Sequence, residues 1–139
     1  MPNGYLIDSN VLLDVITVDP MWAEWSGAAL ANAVRGGPTF LNPLIYAEVS
    51  AGFDDIRELD ERMPAHVLQR APLPYEAGFL AAKAHLAYRR RGGSRAATLP
   101  DFFIGAHALV DDLVLVTRDA RRYRTAFPGL QLIDPTPRG

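Results

Sequence analysis

Tyr5, Leu6 and Ile7 form a short apolar run without alternation, cut off by Asp8-Ser9-Asn10. An unbroken run of this kind is expected of a strand covered on both faces, and covered strands belong to sheets flanked by helices on either side. The same pattern returns as Leu113-Val114-Leu115-Val116-Thr117, again closed by polar residues, Arg118-Asp119. In an open α/β sheet, ligands bind beyond the carboxyl ends of the strands, where the strand order reverses. Asp8 and Asp119 therefore stand where chemistry is expected. Each has an equally good local role, because a short polar side chain at that place also caps the helix that follows.

The stretches between these runs read as helices and further short strands. Helices are expected over 10–16 and from Met21 or Trp22 to Arg35, the second ended by Gly36-Gly37-Pro38. Thr39-Phe40-Leu41 is a strand, and Asn42-Pro43 supplies an N-cap and a first helical position for a helix running to Gly52. A charged helix over 54–63 turns Ile56 and Leu59 inward, and a strand covers 67–70. An Ala-rich helix runs from Tyr75 to Arg91, followed by a basic loop from Arg89 to Arg95. The next helix opens at Thr98-Leu99-Pro100-Asp101 and closes at Asp111-Asp112. A basic helix carrying Arg121, Arg122, Tyr123 and Arg124 leads to a last strand over 130–133, and Asp134 to Gly139 reads as a loose tail. Strands alternating with helices predict a three-layer α/β/α domain over residues 1–139, with a mainly parallel central sheet of about five strands.

Four acids share a position that scatter does not explain. Asp8 and Asp119 follow buried strands, Asp101 lies in the first turn of a helix, and Glu48 falls four residues after Leu44 and three after Ile45, on an apolar helix face. Gathered in one cleft they would repel one another and each would pay for desolvation, so a cation is expected among them. A cluster of oxygen donors without Cys or His selects a hard ion, Mg²⁺ or Mn²⁺. Separate structural roles are open for three of them: Asp101 as the acid of a capping box with Thr98, Glu48 reaching to solvent along its stem, Asp119 capping the basic helix. Asp14, Asp111 and Asp112 read as solvated or turn residues, and His107 as helix packing.

Composition narrows the setting. With 139 residues, 49% of them hydrophobic, the chain has enough apolar material for one core. The absence of cysteine excludes disulfides and thiolate metal sites. No apolar run is long enough to span a bilayer and no secretory signal opens the chain, so a soluble cytoplasmic protein is expected. The net charge of −2 conceals a split, with residues 1–69 at −7 and residues 70–139 at +5. All basic residues but Lys83 are arginine, the side chain suited to bidentate contact with phosphate or carboxylate.

In their order and spacing, these motifs resemble the PIN domain, and within it the small toxin ribonucleases of VapC type. The resemblance rests on Leu6-Ile7-Asp8-Ser9-Asn10-Val11-Leu12-Leu13, on Glu48, on the Ala-rich helix through Tyr88-Arg89 and Gly92, on Leu99-Pro100-Asp101-Phe102-Phe103-Ile104-Gly105-Ala106-His107-Ala108, and on Leu115-Val116-Thr117-Arg118-Asp119. It implies a Mg²⁺- or Mn²⁺-dependent endoribonuclease, the toxin of a toxin-antitoxin pair, with Asp8, Glu48, Asp101 and Asp119 as catalytic, metal-holding acids. Ser9, Asn10 and Thr117 match supporting polar positions. It also implies a structured RNA substrate such as tRNA or rRNA, a cognate antitoxin that covers the cleft, and a homodimer. Two departures stand out: the family usually carries Thr at the place of Ser9, and Phe102-Phe103 is bulkier than the residues common after that Asp.

A polyanion approaching an acidic site needs cations nearby, and Arg89, Arg90, Arg91, Arg95, Arg118, Arg121 and Arg122 are the phosphate contacts on offer. The same arginines would equally serve a solvated surface or an antitoxin. Two other classes compete with the nuclease: a non-catalytic PIN-like RNA- or protein-binding module, and a phosphoacceptor receiver domain. The second wants a Lys at its acidic pocket, and Lys83 sits in mid-helix.

Overall fold

The computed structural model describes residues 1–93 and 97–136. Arg95 and the last residues of the expected tail, 137–139, lie outside the described residues. The apolar runs become strands that pair side by side: β1 (Tyr5–Ile7) lies between β2 (Thr39–Leu41) and β4 (Val114–Val116). With β3 (Gln69–Arg70) and β5 (Leu132–Ile133) at the edges, the described strands form a parallel sheet of order β3-β2-β1-β4-β5. The chain moves outward from β1 through β2 to β3, then jumps back to β4. Right-handed crossovers therefore place the helices of the two halves on opposite faces.

Helices α1 (Ser9–Ile16), α2 (Ala23–Gly36), α3 (Pro43–Ser50) and α4 (Ile56–Arg62) belong to the first half. Helices α5 (Tyr75–Arg90), α6 (Leu99–Val110) and α7 (Arg121–Ala126) belong to the second. Packing follows this division: α1 lies against α2 and α3, and α5 against α6 and α7. Leu6, Ile7, Leu115 and Val116 are buried on both faces of the sheet, as the lack of alternation requires. Among the described residues, no helix is long and apolar enough to cross a membrane.

Several expectations are corrected. The strand expected over 67–70 shortens to two residues, because Val67 and Leu68 close a turn onto the Pro64 carbonyl. Ile56 is not inward but 64% exposed; it opens α4, and only Leu59 of that helix is buried. Arg89 and Arg90 are the last turn of α5, not part of a loop. Asp14 is not solvated: it is buried, accepts from Ser26 on α2 at 2.7 Å, and takes both arms of the Arg118 guanidinium at 2.9 and 3.1 Å. Asp134 is held by Arg124 at 2.9 Å and by Thr136 at 2.6 Å.

One buried polar chain ties the two halves together near the site. Asn42 caps α3, its Oδ1 accepting from the Ile45 N–H at 2.9 Å, while its Nδ2 lies 3.0 Å from Nδ1 of His107 on α6. With its amide oriented this way Asn42 donates, so Nδ1 accepts and Nε2–H donates to Asp111 at 2.9 Å. Burial holds the imidazole below its ordinary range, against the pull of Asp111, which suits a neutral ring in this chain. His107 is thus packing, as its position suggests, but packing that fixes α3, the carrier of Glu48, against α6, the carrier of Asp101. Asn42→Ala removes a helix cap and strands a buried imidazole, and is expected to cost about 2 kcal/mol of stability, read from the denaturant midpoint.

Candidate active site

The sheet register decides what meets Asp8. Ile7 pairs with Val116, and the Asp8 N–H donates to the Val116 carbonyl at 2.9 Å, so Asp8 and Thr117 leave the sheet side by side. This is where strand order reverses, between β1 and β4. Asp8 caps α1, its Oδ1 accepting from the Ser9 N–H at 2.8 Å. Its Oδ2 accepts from Thr117 at 2.9 Å and from the Tyr123 hydroxyl at 3.0 Å. The helix cap and the buried hydrogen bonds to Thr117 and Tyr123 are made by the same carboxylate.

The remaining sequence candidates assemble around this carboxylate. Ser9 Oγ donates to Glu48 Oε1 at 3.1 Å, linking the start of α1 to α3. Thr117 Oγ1, which donates to Asp8, accepts the Asp119 N–H at 3.1 Å and lies 3.4 Å from Asn10 Nδ2. Asn10 Oδ1 accepts the Arg118 N–H at 3.1 Å, which shapes the turn after β4. Asp101 closes a capping box on Thr98, its Oδ2 accepting the Thr98 N–H at 2.9 Å, and the same oxygen faces Arg122 at 2.8 Å. The other arm of Arg122 reaches Asp119 Oδ2 at 2.7 Å. The four acids thus form two linked pairs, Asp8 with Glu48 through Ser9, and Asp101 with Asp119 through Arg122.

Asp8 and Glu48 both feel the charge of Asp101. Burial raises the Asp8 carboxyl above its ordinary range, the donors Thr117, Tyr123 and Ser9 oppose this, and Asp101 adds to it. Glu48, at the rim, is raised by partial burial, with Asp8 and Asp101 reinforcing and Ser9 and Arg122 opposing. The Tyr123 hydroxyl is pushed well above 10.0 by burial, then by Asp8 and Asp101, so it stays protonated and donates. For Arg122 the pull of Asp119 and Asp101 outweighs the opposing effect of burial.

Tyr123 and the clamp role of Arg122 are the parts that sequence reasoning missed. Tyr123 is the inward residue of a short, otherwise basic helix, a sign of burial but not of a bond to a carboxylate 115 positions away. Its approach depends on Gly105, where a Cβ would stand 2.7 Å from the Phe127 ring and 2.9 Å from that of Tyr123. Arg118, offered as a phosphate contact, is instead taken up by Asp14 and by the face of Trp22, 5.3 Å from the ring centroid.

The sequence over residues 5–128 matches the model of the PIN domain. The chain belongs to the PIN domain family. No curated protein matches it. Solved structures with this fold include VapBC2 from Rickettsia felis bound to a DNA fragment from their promoter, with a TM-score of 0.73 at 16% identity, covering 94% of this chain and 97% of that one. FitAcB from Neisseria gonorrhoeae gives 0.70 at 19%, covering 94% and 97%, and a toxin-antitoxin complex from Klebsiella pneumoniae gives 0.65 at 20%, covering 96% and 98%. At these identities the likeness is one of fold.

PIN domains are generally nucleases that use divalent metal ions, and the donors here are of the right chemistry, four carboxylates with no sulfur or imidazole among them. As arranged, however, no group of three or more acidic or histidine side chains among the described residues forms a metal-holding set. Arg122 takes an oxygen from each of Asp101 and Asp119 instead. Asp8 and Glu48, by contrast, are met by the uncharged donors Ser9, Thr117 and Tyr123.

The direction of the Asp8 shift carries a stability consequence. A carboxyl raised in the folded state keeps its proton to a higher pH than in the unfolded chain, so stability falls as pH rises above its ordinary value of 3.8. In buffer with chelator, Asp8→Asn lacks this term. Its melting temperature relative to wild type is expected to climb from about pH 4 to about pH 7. A relative decline over that interval would contradict the burial penalty assigned to Asp8.

Proposed function

We propose that this PIN domain is a metal-dependent endoribonuclease, the toxin of a toxin-antitoxin pair acting in the cytoplasm. The observation that carries the reading is the meeting of Asp8, Glu48, Asp101 and Asp119 at the carboxyl edge of the sheet, linked by Ser9, Thr117 and Arg122. The fold is shared with structures of toxin-antitoxin complexes, which supports the same placement.

Asp8, Asp101 and Asp119 would hold the ion, Mg²⁺ or Mn²⁺, with Glu48 at the rim. When bound, such an ion polarises a phosphodiester and lowers the pKa of water beside it. The chain's own residues do the rest. Thr117 and Tyr123 fix the rotamer of Asp8 by donating to the same oxygen. Ser9 turns Glu48 toward the cluster, where its carboxylate can ligate or orient the attacking water. Arg122 holds one oxygen of each of Asp101 and Asp119, which makes it the side chain that competes with a cation for those acids.

A cognate antitoxin and a second copy of the chain are the partners proposed. Tyr75, Phe79 and Leu86 along α5 are 97%, 66% and 44% exposed, apolar surface of the kind that protein partners cover. The internal ion pairs of Arg122 favour one rival, a non-catalytic RNA- or protein-binding module in which the acids are permanently neutralised.

Cleavage separates the two. Incubated with structured RNA and Mg²⁺ or Mn²⁺, the wild-type protein is expected to cut internally, and Asp8→Asn and Asp101→Asn to lose about a hundredfold in rate. Expression of wild type, and not of Asp8→Asn, is expected to arrest growth. Full activity in Asp8→Asn would displace the site, and RNA binding without cleavage by wild type would favour the module.

A further inference from the structure

Most arginines among the described residues are already engaged. Arg118 is bound to Asp14, Arg70 to Asp60, Arg57 to Asp55 and Arg124 to Asp134. Arg62 donates to the Ile16 carbonyl and Arg35 to Asn32. Arg122 is held between Asp101 and Asp119. Arg89, Arg90, Arg91 and Arg121 form no ion pair among the described residues, and Arg91 and Arg121 face the same space.

That space is a cavity of about 480 Å³ lined by Tyr88, Arg91, Asp119, Arg121, Arg122 and Thr125. It shares Asp119 and Arg122 with the acid cluster, so whatever occupies it lies directly beside the proposed scissile position. Its volume is within the range of small-ligand sites. The lining points to an anion, not a base. Tyr88 is no open stacking platform, since its ring packs against Phe102, with centroids 5.3 Å apart, and against Gly93, where a Cβ would stand 2.5 Å from the ring. With the Asp119 carboxylate paired to Arg122, the Arg91 and Arg121 guanidiniums and the Thr125 hydroxyl leave the lining with an excess of cationic donors, a set that recognises phosphate oxygens.

We propose that this cavity is the phosphate subsite for the nucleotide adjoining the bond that is cut, with Arg91 and Arg121 as its donors and Arg122 as the wall it shares with the acids. The inference rests on the nuclease reading and deepens it, by assigning the path of the RNA to the α5–α7 side of the cluster. The physical need is local: a polyanion brought against four carboxylates is repelled unless cations flank the next phosphate. An acidic segment of an antitoxin would also suit two arginines, and the test below separates it from RNA.

The test is binding of a fluorescently labelled single-stranded RNA, kept intact by the chelator that withholds the metal, followed by anisotropy across a salt series. Arg91→Ala/Arg121→Ala is compared with Arg35→Ala/Arg57→Ala, which removes the same charge from surfaces away from the cavity. The first pair is expected to weaken binding about tenfold and to flatten the slope of log affinity against log salt by about 1.4. The second pair is expected to stay within about twofold of wild type. Wild-type affinity and slope in the first pair, or equal losses in both, would overturn the subsite. So would intact RNA binding with lost antitoxin binding, which would give the cavity to the protein partner. If wild type cuts RNA and the first pair binds like wild type, only the subsite fails; if wild type neither binds nor cuts RNA, the nuclease reading fails with it.

Discussion

Asp8 stands where β1 leaves the core, and its carboxylate is almost fully enclosed, at 5% exposure. A buried carboxylate is tolerated only when its oxygens are supplied with donors. Here the donors come from three places in the chain: Ser9 next to it, Thr117 at the end of the adjoining strand, and Tyr123 on the following helix. The register of β1 on β4 delivers Thr117, and the absence of a side chain at Gly105 lets Tyr123 come close. The central sheet and the packing of α7 on α6 therefore serve one oxygen atom of one residue.

Around that atom the fold accumulates negative charge and then offsets it. The acidic first half of the sequence and the basic second half meet across the seam between β1 and β4. Arg118 discharges Asp14 across the two halves, and Arg122 discharges Asp101 and Asp119 within the second. The two arginines come from the same turn and the start of the same helix, yet they act differently. Arg118 is doubly bonded to a buried acid and backed by Trp22, and so serves as a structural fastening. Arg122 bridges two acids at the edge of a cavity. Short polar side chains hold the geometry while arginine holds the charge.

Much of this was readable from the residues. Unalternating runs at Tyr5–Ile7 and Val114–Val116 announced buried parallel strands, because only strands covered on both faces dispense with polar positions. Asn42-Pro43 and Thr98-Leu99-Pro100-Asp101 carried their helix starts in the capping residues. Asp101 shows why a local reading need not compete with a functional one, since a single oxygen closes the capping box and meets Arg122. What escaped were the contacts made by long side chains across the sheet. Nothing local distinguishes Asp14 from a solvated acid, or Arg118 from a phosphate contact, until β4 places one over the other. In the sequence Tyr123 is only one member of a basic helix, and its hydroxyl acquires a role from the Asp8 carboxylate. Ile56 failed for the opposite reason, as helical spacing alone cannot say that α4 buries little beyond Leu59.

The proposed nuclease requires that a hard divalent ion displace Arg122 from Asp101 and Asp119. Calorimetric titration of Mn²⁺ into the wild-type protein and into Arg122→Gln, without RNA, addresses this directly. The account predicts saturable binding to wild type and about tenfold tighter binding once the competing guanidinium is gone, worth about 1.4 kcal/mol. Binding to neither protein, or weaker binding to Arg122→Gln, would contradict it.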